Sequence, residues 1–202
     1  MAVNPLILEL PRSIETDRLI MRPWQQGDAQ QLHKLQQESW EQFNKWYGGT
    51  LAKEKTSKDD MKAYINGALS GWYDRSWIEF VTFEKESGKM IGTASLHHLD
   101  WSVPKGRIGY IVRNSAGGKG YATEMANVMT RLAFKFLDLK RLEIRASIEN
   151  PASNKIPRKL GYQFLTVFEK NKASVNGDLW DLEIHVRFDA KDLPKININW
   201  SE

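Results

Sequence analysis

Three glycines in four residues, Gly117-Gly118-Lys119-Gly120, separate a segment with strand periodicity from one with helix periodicity. Ahead of them, Ile108, Tyr110 and Val112 recur at period two, as on one face of a half-buried strand. Behind them, Ala122, Met125, Ala126, Met129, Leu132, Ala133, Phe136 and Leu137 recur at spacings of three and four, the stripe of a helix packed on a core. Any fold for this chain must therefore join a strand to a long helix through a glycine turn. Glycines at such a junction let successive backbone N–H groups converge on one point, and the helix start adds a partial positive charge. The place suits a phosphate, and Lys119 adds a further charge. The alternative is a plain turn into a helix. The pattern is not a Walker loop, which needs Gly-Lys-Ser/Thr after a four-residue spacer, nor a dinucleotide fingerprint, since Gly-x-Gly-x-x-Gly is absent here.

The chain has 202 residues, 41% hydrophobic and 27% charged, which suits one filled core and a single domain over 1–202. The core is expected over about 15–188, with 189–202 as a tail or partly ordered extension. No apolar run approaches the roughly eighteen residues of a membrane span, so no membrane partner is expected. Met1 to Pro11 lacks a basic start and a long apolar stretch, so no secretory signal is expected. With no cysteine, disulfides, thiolate metal sites and a cysteine nucleophile are excluded; no metal is expected and the cytoplasm is the default location. The net charge of +4 is scattered rather than blocked, so nucleic acid is not an expected partner.

Periodicity and turn residues predict the remaining elements. Arg18 to Arg22 reads as a first strand ended by Pro23, and Asp28 is placed to cap a helix through about Ser39. Trp40 to Tyr47 is aromatic-rich and broken by Gly48-Gly49; a second helix spans about Lys58 to Tyr73. Strands follow at Ile78 to Phe83, Met90 to Leu99 and the segment before the glycines, with Ser87-Gly88 and Pro104-Lys105-Gly106 in the turns. Leu142, Ile144 and Ala146 alternate with Glu143, Arg145 and Ser147 as a further strand. A short helix starts near Asn150, with Pro151 at its first position, and closes at Gly161. A hairpin is expected around Asn176-Gly177, with Leu182, Ile184, Val186 and Phe188 on one face of its second arm. The order predicts an α/β layer, a mixed and mostly antiparallel sheet with helices on both faces.

The glycine loop, together with Asn150-Pro151-Ala152-Ser153 and Leu160-Gly161-Tyr162, resembles the acetyl-CoA site of the GNAT superfamily of N-acetyltransferases. The family's loop reads Arg/Gln-x-x-Gly-x-Gly/Ala; Gly118 to Ala122 fits it, while Gly117 stands where Arg or Gln is usual. The second string is similar to the family's Asn-x-x-Ser/Ala followed by Leu-Gly-Phe/Tyr, and the element order is the family's own over roughly Glu15 to Phe188. Many members have a Tyr seven residues after the Asn, where this chain has Pro157. Ile156-Pro157, Ser95-Leu-His-His-Leu-Asp100 and Ile108-Gly109-Tyr110 resemble the branch that acetylates the N-termini of ribosomal proteins.

The resemblance implies an acetyl-CoA-dependent enzyme that moves an acetyl group directly to a primary amine in a ternary complex, the acceptor being a protein N-terminus. It implies cofactor contacts from Ile111, Val112, Arg113, Gly117, Gly118, Lys119, Gly120, Tyr121, Ala122, Asn150 and Ser153, and it implies a homodimer. Lys155 and Arg158, near the same helix start, are in reach of the CoA phosphates, the alternative being a solvated helix face. Ser153 becomes the group that protonates the leaving thiolate or orders a water there. A backbone N–H near Ile111 would meet the oxyanion, with Gly109 permitting a bulge that frees such groups. The general base stays open: the branch's Glu falls at Lys172, Glu169 is the nearest carboxylate, and His97, His98 and Glu143 are further candidates. Arg107 also departs from the branch, which has Glu there. Trp40 and Trp46 are candidates to line the acceptor channel. Two other readings remain: acetylation of a small amine (a polyamine, amino sugar or antibiotic), and a CoA-binding module without catalysis.

Overall fold

The computed structural model describes residues 4–175 and 177–201. Its nine strands are β1 Ser13–Glu15, β2 Leu19–Pro23, β3 Ile78–Glu84, β4 Met90–Asp100, β5 Lys105–Val112, β6 Arg141–Ser147, β7 Gln163–Ala173, β8 Leu179–Arg187 and β9 Asn199–Ser201. They form one sheet in the order β7-β8-β6-β5-β4-β3-β2-β1-β9. β5 and β6 are parallel and the other pairs antiparallel. The helices are α1 Ala29–Trp46, α2 Lys58–Asp74, α3 Tyr121–Lys135 and α4 Pro151–Lys159.

Alternation along the strands divides the interior into two main cores, one on each face, with a small third cluster of Leu182, Ile184 and Val186 on β8. On one face Leu32, Leu35 and Phe43 of α1 and Met61 and Ile65 of α2 pack on Val81, Phe83 and Ile111. On the other, Met125, Met129 and Leu132 of α3 and Ile156 and Leu160 of α4 pack on Phe80, Leu96, Ile108 and Ile144. Ile108 and Ile111 thus face opposite cores, as a period of two requires. The predicted α/β layer with helices on both faces is the observed architecture.

Four expectations change. The first helix does not stop near Ser39 but runs to Trp46, because Phe43 continues the buried stripe of Leu32, Leu35 and Ser39 and is fully enclosed. Asp28 holds the N-cap position without capping; its carboxylate takes Arg22 at 2.7 and 2.8 Å and the Gln25 N–H at 2.8 Å. Gly109 makes no bulge: β4 and β5 pair without a break from Gly92↔Val112 to His97↔Arg107, and the register shifts between His97 and Asp100. His98, at φ 51°, lies inside that shift. The segment after Asp189 is not a loose tail. Leu193 is buried in the α3-side core, Trp200 stacks on Phe136 at 5.0 Å, and β9 closes the sheet beyond β1. The β7–β8 hairpin forms where expected, although Asn176 of its predicted turn lies outside the described residues.

One carboxyl is enclosed in the α1–α2 core. Glu79 accepts from Trp24 Nε1 at 2.7 Å, Tyr64 OH at 3.0 Å and Thr93 Oγ1 at 3.1 Å. Burial nevertheless outweighs these donors and raises its pKa from 4.5 to about 7. A carboxyl raised on folding favours the folded state below its unfolded pKa and loses that contribution as pH climbs through the folded value. The stability of the wild type relative to Glu79→Gln should therefore fall by up to roughly 3 kcal/mol between pH 5 and 8. Urea unfolding of both proteins across that range measures it, and a flat difference would refute it. Leu193→Ala should cost about 2–4 kcal/mol in the same assay if the C-terminal segment is part of the core.

Candidate active site

β5 and β6 stay together only briefly. Their pairing covers Lys105↔Arg141, Gly106↔Leu142 and Arg107↔Glu143, and stops. Beyond it β5 remains on β4, and β6 remains on β8 as far as Ser147↔Leu182. A wedge opens between them, lined on one side by backbone groups without a strand partner. The Arg113 N–H donates to the Ile91 carbonyl at 2.7 Å, so alternation turns the Ile111 N–H toward β4 and those of Tyr110 and Val112 toward the wedge. The Tyr110 carbonyl points the same way and accepts from Tyr47 OH at 2.8 Å. The outward donors therefore flank the expected position, Ile111, rather than coincide with it.

At the wide end of the wedge the chain turns through Asn114–Ala116 and the glycines into α3. Gly118 and Gly120 have φ of 75° and 82°, the left-handed region where other residues are strained. Gly120 is the N-cap of α3, and no side chain caps the helix. α2 and α4 are closed differently: Ser57 and Asp60 form a capping box, and Asn150 Oδ1 accepts from the Ser153 N–H at 3.0 Å. The first-turn N–H groups of α3 are left with neither an intrahelical acceptor nor a cap. They open on a cavity of about 590 Å³ that reaches from the glycines to α4.

That cavity gathers most of the expected cofactor residues: Val112, Gly117, Gly118, Gly120, Tyr121, Ala122, Asn150, Ser153 and Lys155 line it. Four others are engaged elsewhere. Ile111 is in the α1–α2 core; Arg113 is paired with Glu38, whose pKa it lowers to about 2. Arg158 binds Glu183 of β8 at 2.6 Å and does not line the cavity. Lys119 faces a separate cavity over α1, while its carbonyl accepts from Arg18 at 3.0 Å. Lys159, one turn after Lys155, lines the cavity in place of Arg158 and follows from the helical spacing.

A second cavity, of about 420 Å³, lies at the narrow end of the wedge under the β7–β8 hairpin. Both cavities touch Trp46, Tyr47, Tyr110, Asn150 and Ser153, which form the waist between them. The extended α1 delivers Trp46 and Tyr47 here. The hairpin is tied to α1 by Lys172 Nζ, which donates to the Trp46 carbonyl at 2.7 Å, and by Trp180 against Trp46 at 5.6 Å. Trp46 lines the channel as expected; Trp40 lines neither cavity.

At the waist, Tyr110 OH lies 3.0 Å from Ser153 Oγ and donates to the Ser153 carbonyl at 3.3 Å. Pro157 explains the second contact. In a regular helix the Ser153 carbonyl would accept from the N–H four residues on, and proline has none. Ile156-Pro157 thus leaves that carbonyl to the tyrosine. Burial pushes the Tyr110 phenol up to about 12, so it remains protonated at neutral pH. Tyr110 is not among the expected site residues; the sequence marks it only as a strand position within the Ile108-Gly109-Tyr110 string.

Of the base candidates, Glu169 is exposed on β7, outside both cavities. Glu143 is held by Arg141 and Arg145 at 2.7 and 2.6 Å; burial opposes its ionisation, but these guanidiniums keep its carboxyl below the usual range. His97 and His98 do line the acceptor-side cavity. His97 Nδ1 lies 3.4 Å from Ser95 Oγ, in space left by the missing side chain of Gly109, whose Cβ would meet the ring at 2.8 Å. Burial, followed by His98, Arg107 and Arg145, lowers His97 to about 4, so its ring is neutral at physiological pH.

A split parallel strand pair, an uncapped glycine-led helix and a hydroxyl pair at the waist define a group-transfer cleft. Residues 18–163 match the family described as acetyltransferase (GNAT) domain. The chain belongs to this family and is an acetyltransferase. It is 29% identical to the N-acetyltransferase p20 of Bacillus licheniformis, itself without an assigned role, over 79% of this chain and 89% of that protein. It is 28% identical to YdaF of Bacillus subtilis (strain 168), named as a candidate ribosomal N-acetyltransferase, over 82% of this chain and 88% of that protein. Among solved structures, RimL, a ribosomal L7/L12 alpha-N-protein acetyltransferase in complex with coenzyme A, shares the fold. Its TM-score is 0.78 at 20% identity, covering 88% of this chain and 97% of that one.

Gly120→Ala places a Cβ at a φ of 82°, at a cost of about 1 kcal/mol, and shifts the loop whose N–H groups face the cavity. CoA affinity measured by calorimetry should fall about tenfold, and an unchanged affinity would mean that this loop does not hold the cofactor.

Proposed function

We propose that the chain, acting as one domain, is an acetyl-CoA-dependent N-acetyltransferase whose acceptor is a primary amine, most simply a protein N-terminal α-amine. The observation that carries this reading is the meeting of two cavities at the Tyr110–Ser153 waist, with an uncapped helix start at the far end of one of them. In that arrangement the α3 N-terminus and the glycine amides receive the pyrophosphate, with Lys155 and Lys159 beside them. The Val112 and Tyr110 amides serve the extended arm and the developing oxyanion. The acetyl carbon then lies at the waist, where an amine from the acceptor side meets it, and this positioning supplies a large share of the acceleration. Attack forms the N–C bond and breaks the C–S bond. Ser153 Oγ gives a proton to the leaving sulfur and is resupplied from Tyr110 OH, and the phenol, with its pKa raised to about 12, regains a proton from solvent.

The attacking amine must be neutral. The acceptor cavity carries Arg107, Arg145 and Lys172, and a like-charged setting favours loss of the ammonium proton. His97, uncharged and facing the cavity, relays that proton to solvent without keeping it, since its pKa is lowered to about 4. The ribosomal acceptor rests on the kinship with YdaF and the fold shared with RimL; a cytoplasmic location and a homodimer complete the proposal. The hairpin strapped to α1 over the acceptor cavity favours a second reading, a small amine, although cations in the lining speak against a polyamine.

Acetyl-CoA, a panel of N-terminal peptides and small amines, and a thiol-release readout test the proposal; failure of every amine would refute it. Ser153→Ala should lower kcat by about 10- to 100-fold, with CoA affinity nearly unchanged. Tyr110→Phe should lower kcat less. A Ser153→Ala enzyme of normal kcat would remove the hydroxyl from proton transfer.

A further inference from the structure

The acceptor cavity is electrostatically one-sided. Arg107, Arg145 and Lys172 line it, together with His97 and His98, and no described carboxylate does. An adjoining cavity of about 320 Å³ shares His98, Arg107 and Arg145 and adds Lys105 and Arg141. Its single carboxylate, Glu143, serves three guanidiniums: Arg141 at 2.7 Å, Arg145 at 2.6 Å and Arg107 at 3.8 Å. Three positive charges against one negative leave an excess of two. Lys105 has its own partner, Asp100, at 3.2 Å.

Arg107 is the least compensated member. Its guanidinium donates no hydrogen bond to any described residue, and its one ion pair is the long contact to Glu143. Burial, then the neighbouring Arg145, lowers its pKa. The register of the split explains this concentration of charge. Arg107↔Glu143 is the last parallel pair, so Arg107, Glu143 and Arg145 share one face of the sheet just where β5 and β6 separate. A guanidinium held there without a planar partner has its hydrogen-bond fork free for a carboxylate from outside.

We propose that the acceptor carries a carboxylate a few bonds from its amine, and that Arg107 and Arg145 receive it while the amine reaches the Tyr110–Ser153 waist. This rests on the acetyl-transfer reading and names the chemical class of its acceptor. In a peptide the carboxylate is an acidic side chain next to the N-terminus; in a small acceptor it is the carboxylate of an amino acid. Either one completes the charge on Arg107, whereas a cationic acceptor adds to the excess.

The test uses matched pairs with acetyl-CoA: peptides beginning Ser-Asp-Glu against Ser-Asn-Gln, and free amino acids against their amides. At least a tenfold higher kcat/KM for one acid over its amide partner is expected, shrinking as salt is raised. The pair that shows it tells the two sources apart. Arg107→Gln should bring the ratio close to one, and Arg107→Glu should invert it; circular dichroism confirms that the variants fold. Calorimetry of the same acids and amides on the CoA-bound protein reads selectivity without turnover. Acid-selective binding with no amine acetylated would uphold the anion site and end the transfer reading. Equal kcat/KM for acids and amides would overturn the anion site and leave the transfer reading standing. Selectivity surviving in both Arg107 variants would also overturn it.

Discussion

The separation of β5 from β6 after three paired residues is the constraint on which the rest of the molecule turns. A parallel pair that continued would satisfy its own backbone and leave no room between the strands. Because it ends at Arg107↔Glu143, each strand keeps its outer partner and gives up its inner one. The amides of Tyr110 and Val112 then face open space at the centre of a sheet, where unpaired backbone is otherwise costly. Both cavities are the two ends of this one opening, and the two cores hold it apart by anchoring β5 to the α1–α2 side at Ile111 and to the α3 side at Ile108.

Helix termini complete the site by the ways in which they are closed or left open. Glycine at the N-cap of α3 supplies the left-handed turn and no competing side chain, so the helix presents its N–H groups to the cavity. Asn150 caps α4 and so fixes Ser153 in its first turn. Pro157 withdraws one donor inside α4, and Tyr110 takes up the carbonyl that this leaves. A missing cap and a missing N–H would each weaken an isolated helix; here each exposes a group that the wedge can use.

Much of the site was legible because its signals are local. Glycine spacing, strand alternation and the Asn-to-Gly boundaries of α4 depend on neighbours in sequence, and nine of the thirteen expected cofactor positions line the cavity. The expected residues that lie outside it are those whose placement a distant partner or register decided. Arg113 and Arg158 have the right charge and position, but Glu38 and Glu183 hold them elsewhere. Glu169 is the carboxylate nearest to Lys172 in sequence, and the register shift between Phe168 and Lys172 leaves it outside the cavity while Lys172 lines it. The helical reach of Trp40 to Trp46 was masked by aromatic composition, although Phe43 sits on the same stripe as Leu32 and Leu35.

The sequence by itself determined the α/β layering, the glycine turn into α3 and the start and stop of α4, since hydrophobic period and backbone freedom are properties of short stretches. Only the tertiary structure decided that Tyr110 meets Ser153, that His97 and not Glu169 faces the acceptor side, and that Arg107 and Arg145 share one carboxylate. It also decided that residues 199–201 extend the sheet. These outcomes depend on register and on where β5 and β6 part, and they join residues tens of positions apart whose pairing no local pattern encodes.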